Sequence, residues 1–215
     1  VAVVDSGVRY THEDLAQNMW RNPGEIAGNG IDDDNDGFID DVHGINAIDD
    51  TGNPDDDVPD AVLGVGGHGT AVAGVIGAVG NNGRGIAGVA WRVQIMALKW
   101  FKNQGAGALS DAIQCLDYAR QKGATIVNAS WQQGGLLSGT INQSMMDALD
   151  RLKQAGVMFV SSAGNDGANN DLVAHYPSNY PYDNVVAVAA GTSAGSLSRQ
   201  SNFGERLVDV VAPGE

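Results

Sequence analysis

The sequence predicts an α/β fold: three layers, with a mostly parallel, twisted sheet carrying helices on both faces. Three observations predict it. Short apolar runs alternate with amphipathic stretches along the chain. The first run, residues 1–4 (VAVV), is continuously apolar, as in a strand buried on both faces. The helical stretches 109–122 and 141–154 are closed by glycines, Gly123 and Gly156, the residue type that most easily ends a helix. Strand–helix–strand alternation gives right-handed crossovers and hence parallel pairing.

Taken in order, a strand over 1–4 leads into a long polar insertion, 24–60. A helix of small residues is expected over 68–78 and a strand over 93–98. The helix over 109–122 places Ala112, Leu116 and Ala119 on one face. A strand at 125–129, a helix at 141–154 and strands at 157–161, 185–189 and 207–211 complete the pattern. Ligands of such sheets gather at the carboxyl ends of the strands, and Asp5, Ser130 and Asn165 all fall just past strand ends.

At 215 residues the chain suits one domain, 1–215, with a sizeable core. No apolar run approaches the roughly 20 residues that span a bilayer. The opening strand and the ending VDVVAPGE suggest an internal segment of a larger precursor. The net charge of −14, with 12 Lys and Arg, argues against a nucleic-acid partner. Of 22 Asp, 12 lie between Asp32 and Asp60, whereas Glu occurs four times in all; so local an excess suggests a hard-cation site. Cys115 is the only cysteine and reads as a small buried hydrophobe.

Three blocks carry candidate chemistry. Asp5 ends an apolar strand before Ser6-Gly7, where a carboxylate is costly unless paired; a turn or capping role is the plainer reading. His68 opens a helix in GGHGTAVAGVIGA, where the positive helix end should disfavour imidazolium and leave the ring a base. A satisfied structural histidine would look the same. Asn165, in FVSSAGNDG, is either a turn residue or an amide aimed at a developing oxyanion. Three such blocks in one order are hard to ascribe to chance.

VAVVDSGV, GHGTAVAGVIGA, SSAGNDG, NVVAVAA and VDVVAPG, in that order, resemble the subtilisin-like protease (subtilase) family over essentially the whole chain. The resemblance implies a serine endopeptidase acting through an acyl-enzyme. Asp5 would orient the imidazole, His68 would be general base and then acid, and Asn165 would donate to the oxyanion. VNASW and the facing Gly105, Ala106 and Gly107 would pair with an extended peptide. Ser130 and Trp131, with Ala163 and Gly164, would wall the specificity pocket, although Trp131-Gln132-Gln133 departs from the family's smaller residues. Secretion and a prodomain in the precursor are also implied. A non-catalytic homologue that binds peptide is the alternative. A nucleotide-binding domain is disfavoured, since Asp-Ser-Gly stands where a glycine-rich turn would follow the first strand.

Gly191-Thr192-Ser193-Ala194 looks like the family's nucleophile motif, yet the polar AGSLSRQSNFG that follows cannot be a buried helix. Ser193 therefore reads as a loop serine, and the nucleophile is expected beyond Glu215. The family's second histidine in the helix block is Ala71 here. In the insertion, Asp32, Asp34 and Asp36 alternate before Gly37. With the Phe38 carbonyl, and with Asp41 or Asp40 closing the shell, they suit calcium. His43 stands where an EF-hand would have glutamate, so this is not an EF-hand. The resemblance implies a second calcium site at Asp14 and Asn82. His12, His43 and His175 have no partner signature and read as structural or surface residues.

Overall fold

The structure is a computed structural model and describes residues 1–56, 67–102, 107–133 and 140–214. The chain divides into two compact units, Val1–Ala124 and Thr125–Glu215.

In the first unit, β1 (Ala2–Asp5), β2 (Gly44–Asn46) and β3 (Met96–Lys99) form parallel strands in the order β2–β3–β1. Every residue of β1 and β3 is buried, which is why their first three residues are all apolar rather than alternating; each strand ends in a buried charged residue, Asp5 and Lys99. Helix α1 (His68–Gly77) packs on β1, where Val3, Val8, Leu15, Met19, Ala73, Ile95 and Ala97 form a core cluster. Helix α2 (Leu109–Gln121) covers β1 and β3 with Ala112, Cys115, Leu116 and Ala119. Full burial of a side chain such as Leu116 is worth about 1.5–3 kcal/mol. Burial pushes the Cys115 thiol above its ordinary value, as expected of a packing cysteine.

Strand β2 lies inside the stretch read as an irregular polar insertion. It is three residues long, between His43 and Ala47, too short for a periodicity signal. Gly44 allows it: at φ 129° a side chain there would collide with the Ala97 carbonyl across the pairing. A short 3₁₀ turn, Ala16–Asn18, is likewise absent from the sequence reading.

In the second unit, β4 (Ile126–Ala129), β5 (Met158–Ser162), β6 (Val185–Gly191) and β7 (Val210–Pro213) are parallel and adjacent in that order. Helix α3 (Gln143–Gln154) packs on β5 through Met145, Ala148, Leu149 and Leu152, spaced i, i+3, i+4 and i+7. It starts two residues later than expected because Asn142 is its N-cap: the side chain accepts from Met145 N–H at 3.1 Å. In register, Ala129 pairs with Ser161. The loops after β4 and β5 therefore leave from neighbouring parallel strand ends. The architecture is α/β throughout, with every strand pair parallel in the described residues.

Candidate active site

Asp5 is the last residue of β1 and is fully buried. Its Oδ1 accepts from the Ser6 N–H at 2.7 Å and lies 2.7 Å from His68 Nδ1. A carboxylate can only accept, so Nδ1 donates and Nε2 is left to take a proton from elsewhere. The His68 side chain is 47% exposed, so Nε2 belongs to a ring that solvent and ligands reach. Asp5 Oδ2 is buried with no donor among the described residues.

The seat of this pair is set by the glycines on either side of the histidine. Gly67 precedes the helix at φ 80°, a backbone state that L side chains resist. Gly69 follows it, and a Cβ there would collide with the Gly7 carbonyl. The first turn of α1 thus closes onto the Asp5-Ser6-Gly7 bend, where Gly69 N–H also donates to Ser6 Oγ at 3.0 Å. A second buried acid, Asp56, accepts from Thr70 N–H and Thr70 Oγ1 at 3.3 and 2.9 Å. His68 is held above the ordinary histidine range, first by its hydrogen bond to Asp5 and then by the charges of Asp5 and Asp56, against the opposing effect of burial. The helix N-terminus, expected to favour the neutral ring, is outweighed by a carboxylate in direct contact.

In the second unit, Asn165 lies on the loop that follows β5. It is exposed, and its side chain has no hydrogen-bond partner among the described residues. Neighbours pin the loop around it. Asn202 Oδ1 accepts from Asp166 N–H and Ala168 N–H at 2.9 and 3.0 Å, and Asn202 N–H donates to Gly164 O at 2.8 Å. Asn170 Nδ2 donates to Ala163 O at 2.9 Å. The loop backbone that carries this amide is thus fixed by its neighbours.

Ala163 and Gly164 are buried, Gly164 at φ 113°. A Cβ on Gly164 would come to 2.6 Å from His175 Nε2, and that nitrogen lies 2.7 Å from Gln132 Oε1. His175 is therefore a buried bridge between the loops after β4 and β5, and burial holds it below the ordinary histidine range. Ser130 is half-buried and its Oγ accepts from Asn128 Nδ2 at 3.0 Å. The Trp131 ring is buried edge-on against Phe159, with centroids 6.5 Å apart, so it packs into the core. Gly107 is exposed, and a side chain there would collide with the Trp100 carbonyl. Gly105 and Ala106 lie outside the described residues. Ser193 sits in a tight exposed turn whose Thr192 Oγ1 accepts from Ala194 and Ser196 N–H, with Gly195 at φ 76°; no helix begins there.

The subtilase family profile matches residues 1–215. The chain belongs to the subtilase family. It is 34% identical to subtilisin-like protease 1 of Plasmodium falciparum, aligning over 100% of this chain and 32% of that protein. To the minor extracellular protease Epr of Bacillus subtilis it is 34% identical over 100% of this chain and 26% of that protein. The solved structure of a protease from Pseudoalteromonas arctica superposes with a TM-score of 0.76 at 27% identity, over 99% of this chain and 62% of the other. The chain thus spans about a third or less of these curated relatives, and its fold is the three-layer subtilisin-like one.

The acidic insertion of this subtilase is ordered by its own carboxylates. Asp32 accepts from Asp36 and Gly37 N–H, Asp36 from Phe38 N–H, and Asp40 from Gly28, Asn29 and Gly30 N–H. Glu25 accepts from Asp33, Asp34 and Asp40 N–H. Two groups of acids converge, each offering oxygens within 4.8 Å of one another: Glu25, Asp32 and Asp34, and Asp34, Asp36 and Asp41. Asp41 is fully buried, and burial pushes its carboxyl up to about 6 against the pull of Tyr118 and Asn22 hydrogen bonds. Lys122 contacts both Asp34 and Asp36. Phe38 anchors the loop by its buried ring, edge-on to Tyr118 at 5.9 Å. All the converging donors are carboxylate oxygens, and Asp34 Oδ1 is buried with no donor among the described residues; such a set fits a hard divalent cation.

Asp14 and Asn82 also meet, but in a direct hydrogen bond of 2.7 Å from Asn82 Nδ2 to Asp14 Oδ1. Ile86 N–H takes Asp14 Oδ2 at 3.0 Å. Those bonds hold the Asp14 carboxyl below the ordinary range. His43 hydrogen-bonds Trp20 O at 2.8 Å, and His12 Nδ1 accepts from Asp14 N–H at 3.1 Å; both serve local structure. Sequence reasoning missed Glu25, Lys122, Tyr118, Asn202, Asn170 and the bridging role of His175. Only Glu25, at the edge of the acidic run, carried a signal that could have found it.

Proposed function

We propose that this subtilase segment forms part of a serine endopeptidase that cleaves extended polypeptides. The carrying observation is the 2.7 Å contact of buried Asp5 with His68 Nδ1, which leaves Nε2 as the proton acceptor on a half-exposed ring. In this reading His68 takes the proton of a serine hydroxyl as the serine attacks the scissile carbonyl, and returns it to the leaving amine. Asp5 holds the tautomer and stabilises the imidazolium. The Asn165 amide donates to the oxygen that gains charge. The serine is proposed to lie beyond Glu215, because the family's nucleophile block follows VVAPG and Ser193 occupies a turn. Gly105, Ala106, Gly107 and the Ser130–Trp131 segment would pair with the substrate backbone, with Ala163 and Gly164 beside the pocket.

Calcium is the proposed cofactor, held by carboxylates of the insertion, with Asp32, Asp34 and Glu25 as one group and Asp36 and Asp41 beside it. When bound, it would neutralise repelling acids and brace the loop. The Asp14–Asn82 pair would join a second ion only if the amide turned its oxygen inward. Secretion is in keeping with the extracellular description of the Bacillus relative, and no described helix is long and apolar enough to cross a membrane. A prodomain in the precursor is proposed on family grounds.

The test uses the full-length parent protein. A phosphonyl fluoride should label one serine, and His68→Ala should abolish labelling. Labelling at the wild-type rate in His68→Ala would overturn the endopeptidase reading.

A further inference from the structure

An element outside the acidic insertion reaches into it. Tyr118, in the last turn of α2, and Lys122, its C-cap, are four residues apart and project from one face of the helix end. The Tyr118 hydroxyl donates to Asp41 Oδ2. Lys122 Nζ donates to Asp34 Oδ2, lies 2.9 Å from Asp36 Oδ2 and is 4.0 Å from Asp41 Oδ2. It also stands 5.4 Å from the centroid of the Tyr118 ring, and its side chain is only 13% exposed. These three acids are one of the two converging groups. An ammonium is a compact point charge with three donors, and here it faces three carboxylates.

Asp34 is shared between the groups, with different oxygens in different situations. Its Oδ2 faces Lys122, whereas Oδ1 is buried with no donor among the described residues. A divalent ion coordinated by Asp34, Asp36 and Asp41 would sit about 2.3–2.6 Å from carboxylate oxygens that surround the ammonium, one of which accepts its hydrogen bond, and the two cations would repel at close range.

We propose that Lys122 is a tethered cation occupying the Asp34–Asp36–Asp41 cluster, which confines calcium to the neighbouring Glu25–Asp32–Asp34 group. The lysine sets one positive charge among the three carboxylates of its cluster from within the chain, and calcium would set two among the neighbouring group. This rests on the calcium reading above and adds to it which carboxylates the ion uses and which residue excludes it from the rest.

Calcium stoichiometry of the full chain, measured by isothermal titration after chelator treatment, tests the proposal. Lys122→Met removes the charge at similar length and should bind one more calcium ion per chain than the wild type. Asp36→Asn removes a carboxylate of the lysine's cluster alone and should keep the wild-type number, which serves if Lys122→Met does not fold. Unchanged stoichiometry in Lys122→Met, or loss of an ion in Asp36→Asn, overturns the proposal while leaving the calcium reading intact. A wild type that binds no calcium overturns the assignment of calcium to Glu25–Asp32–Asp34. An ion gained by Lys122→Met in that case would still support exclusion by the lysine.

Discussion

Asp5 and Asp41 are both fully buried carboxylates in the first unit, and their surroundings could hardly differ more. Asp5 stands at the end of a strand, opposite the first residue of a helix, and its one strong side-chain partner is a ring that remains half in solvent. Asp41 lies in a loop made of Asx turns, hydrogen-bonded to Asn22 and Tyr118 and crowded by Asp36. In the first region regular elements place a single acid against a single base, so one geometry results and chemistry can depend on it. In the second, many acids share the work of satisfying loop N–H groups and cations, so the region tolerates change and bears on stability. A buried acid is thus a catalytic candidate when its partner is single, titratable and exposed.

The sharpest way to break this contrast is to neutralise an acid in each region. Asp5→Asn should lower kcat of the full-length protein by about 10⁴-fold, the loss typical of serine proteases whose triad aspartate is replaced. Asp40→Asn, in the insertion, should leave kcat unchanged. Equal losses in steady-state assays would end the distinction. Asn165→Ala should cost about 10²–10³-fold in kcat, the range known for one oxyanion-hole donor in enzymes of this kind, with little change in KM.

Stability should respond in the opposite pattern. Chelation should lower the melting temperature, with about 2.7 kcal/mol at stake where calcium had been a hundred times its Kd. An unchanged melting curve in EDTA would remove the ion from the insertion. Gly69→Ala would press a methyl group into the Gly7 carbonyl, and should destabilise by about 1–3 kcal/mol in denaturant titration.

The smallest effect is in the pH profile. Because His68 is raised in the folded state, its pairing with Asp5 stabilises fully below the ordinary histidine value, and that contribution is lost as pH rises through the raised one. Activity runs the other way, since the base must be neutral: kcat/KM should fall as pH drops through the raised value. The residual activity of Asp5→Asn should show its acid limb at lower pH. A limb that does not move would show that Asp5 does not set the His68 equilibrium.

Much of this was legible beforehand because it depends on short stretches of chain. Buried parallel strands read as short apolar runs up to their charged last residues, and the glycines around His68 stand where the backbone must come close. Strand ends were less legible: 93–98 and 207–211 begin at Met96 and Val210, because the apolar stretches run on beyond the paired residues. The neighbours of Trp131 in sequence suggest a place beside the substrate, but not that its ring packs on Phe159, a partner 28 residues away.

By itself the sequence determined the α/β class, the order of the Asp5, His68 and Asn165 blocks, and the concentration of acid in one insertion. Only the tertiary structure decided which oxygen faces which donor. Lys122 reaches Asp34 across 88 residues, and His175 reaches Gln132 across 43. Local composition is written in neighbouring residues, whereas the pairing of charges and dipoles depends on where helix ends and loops meet after packing.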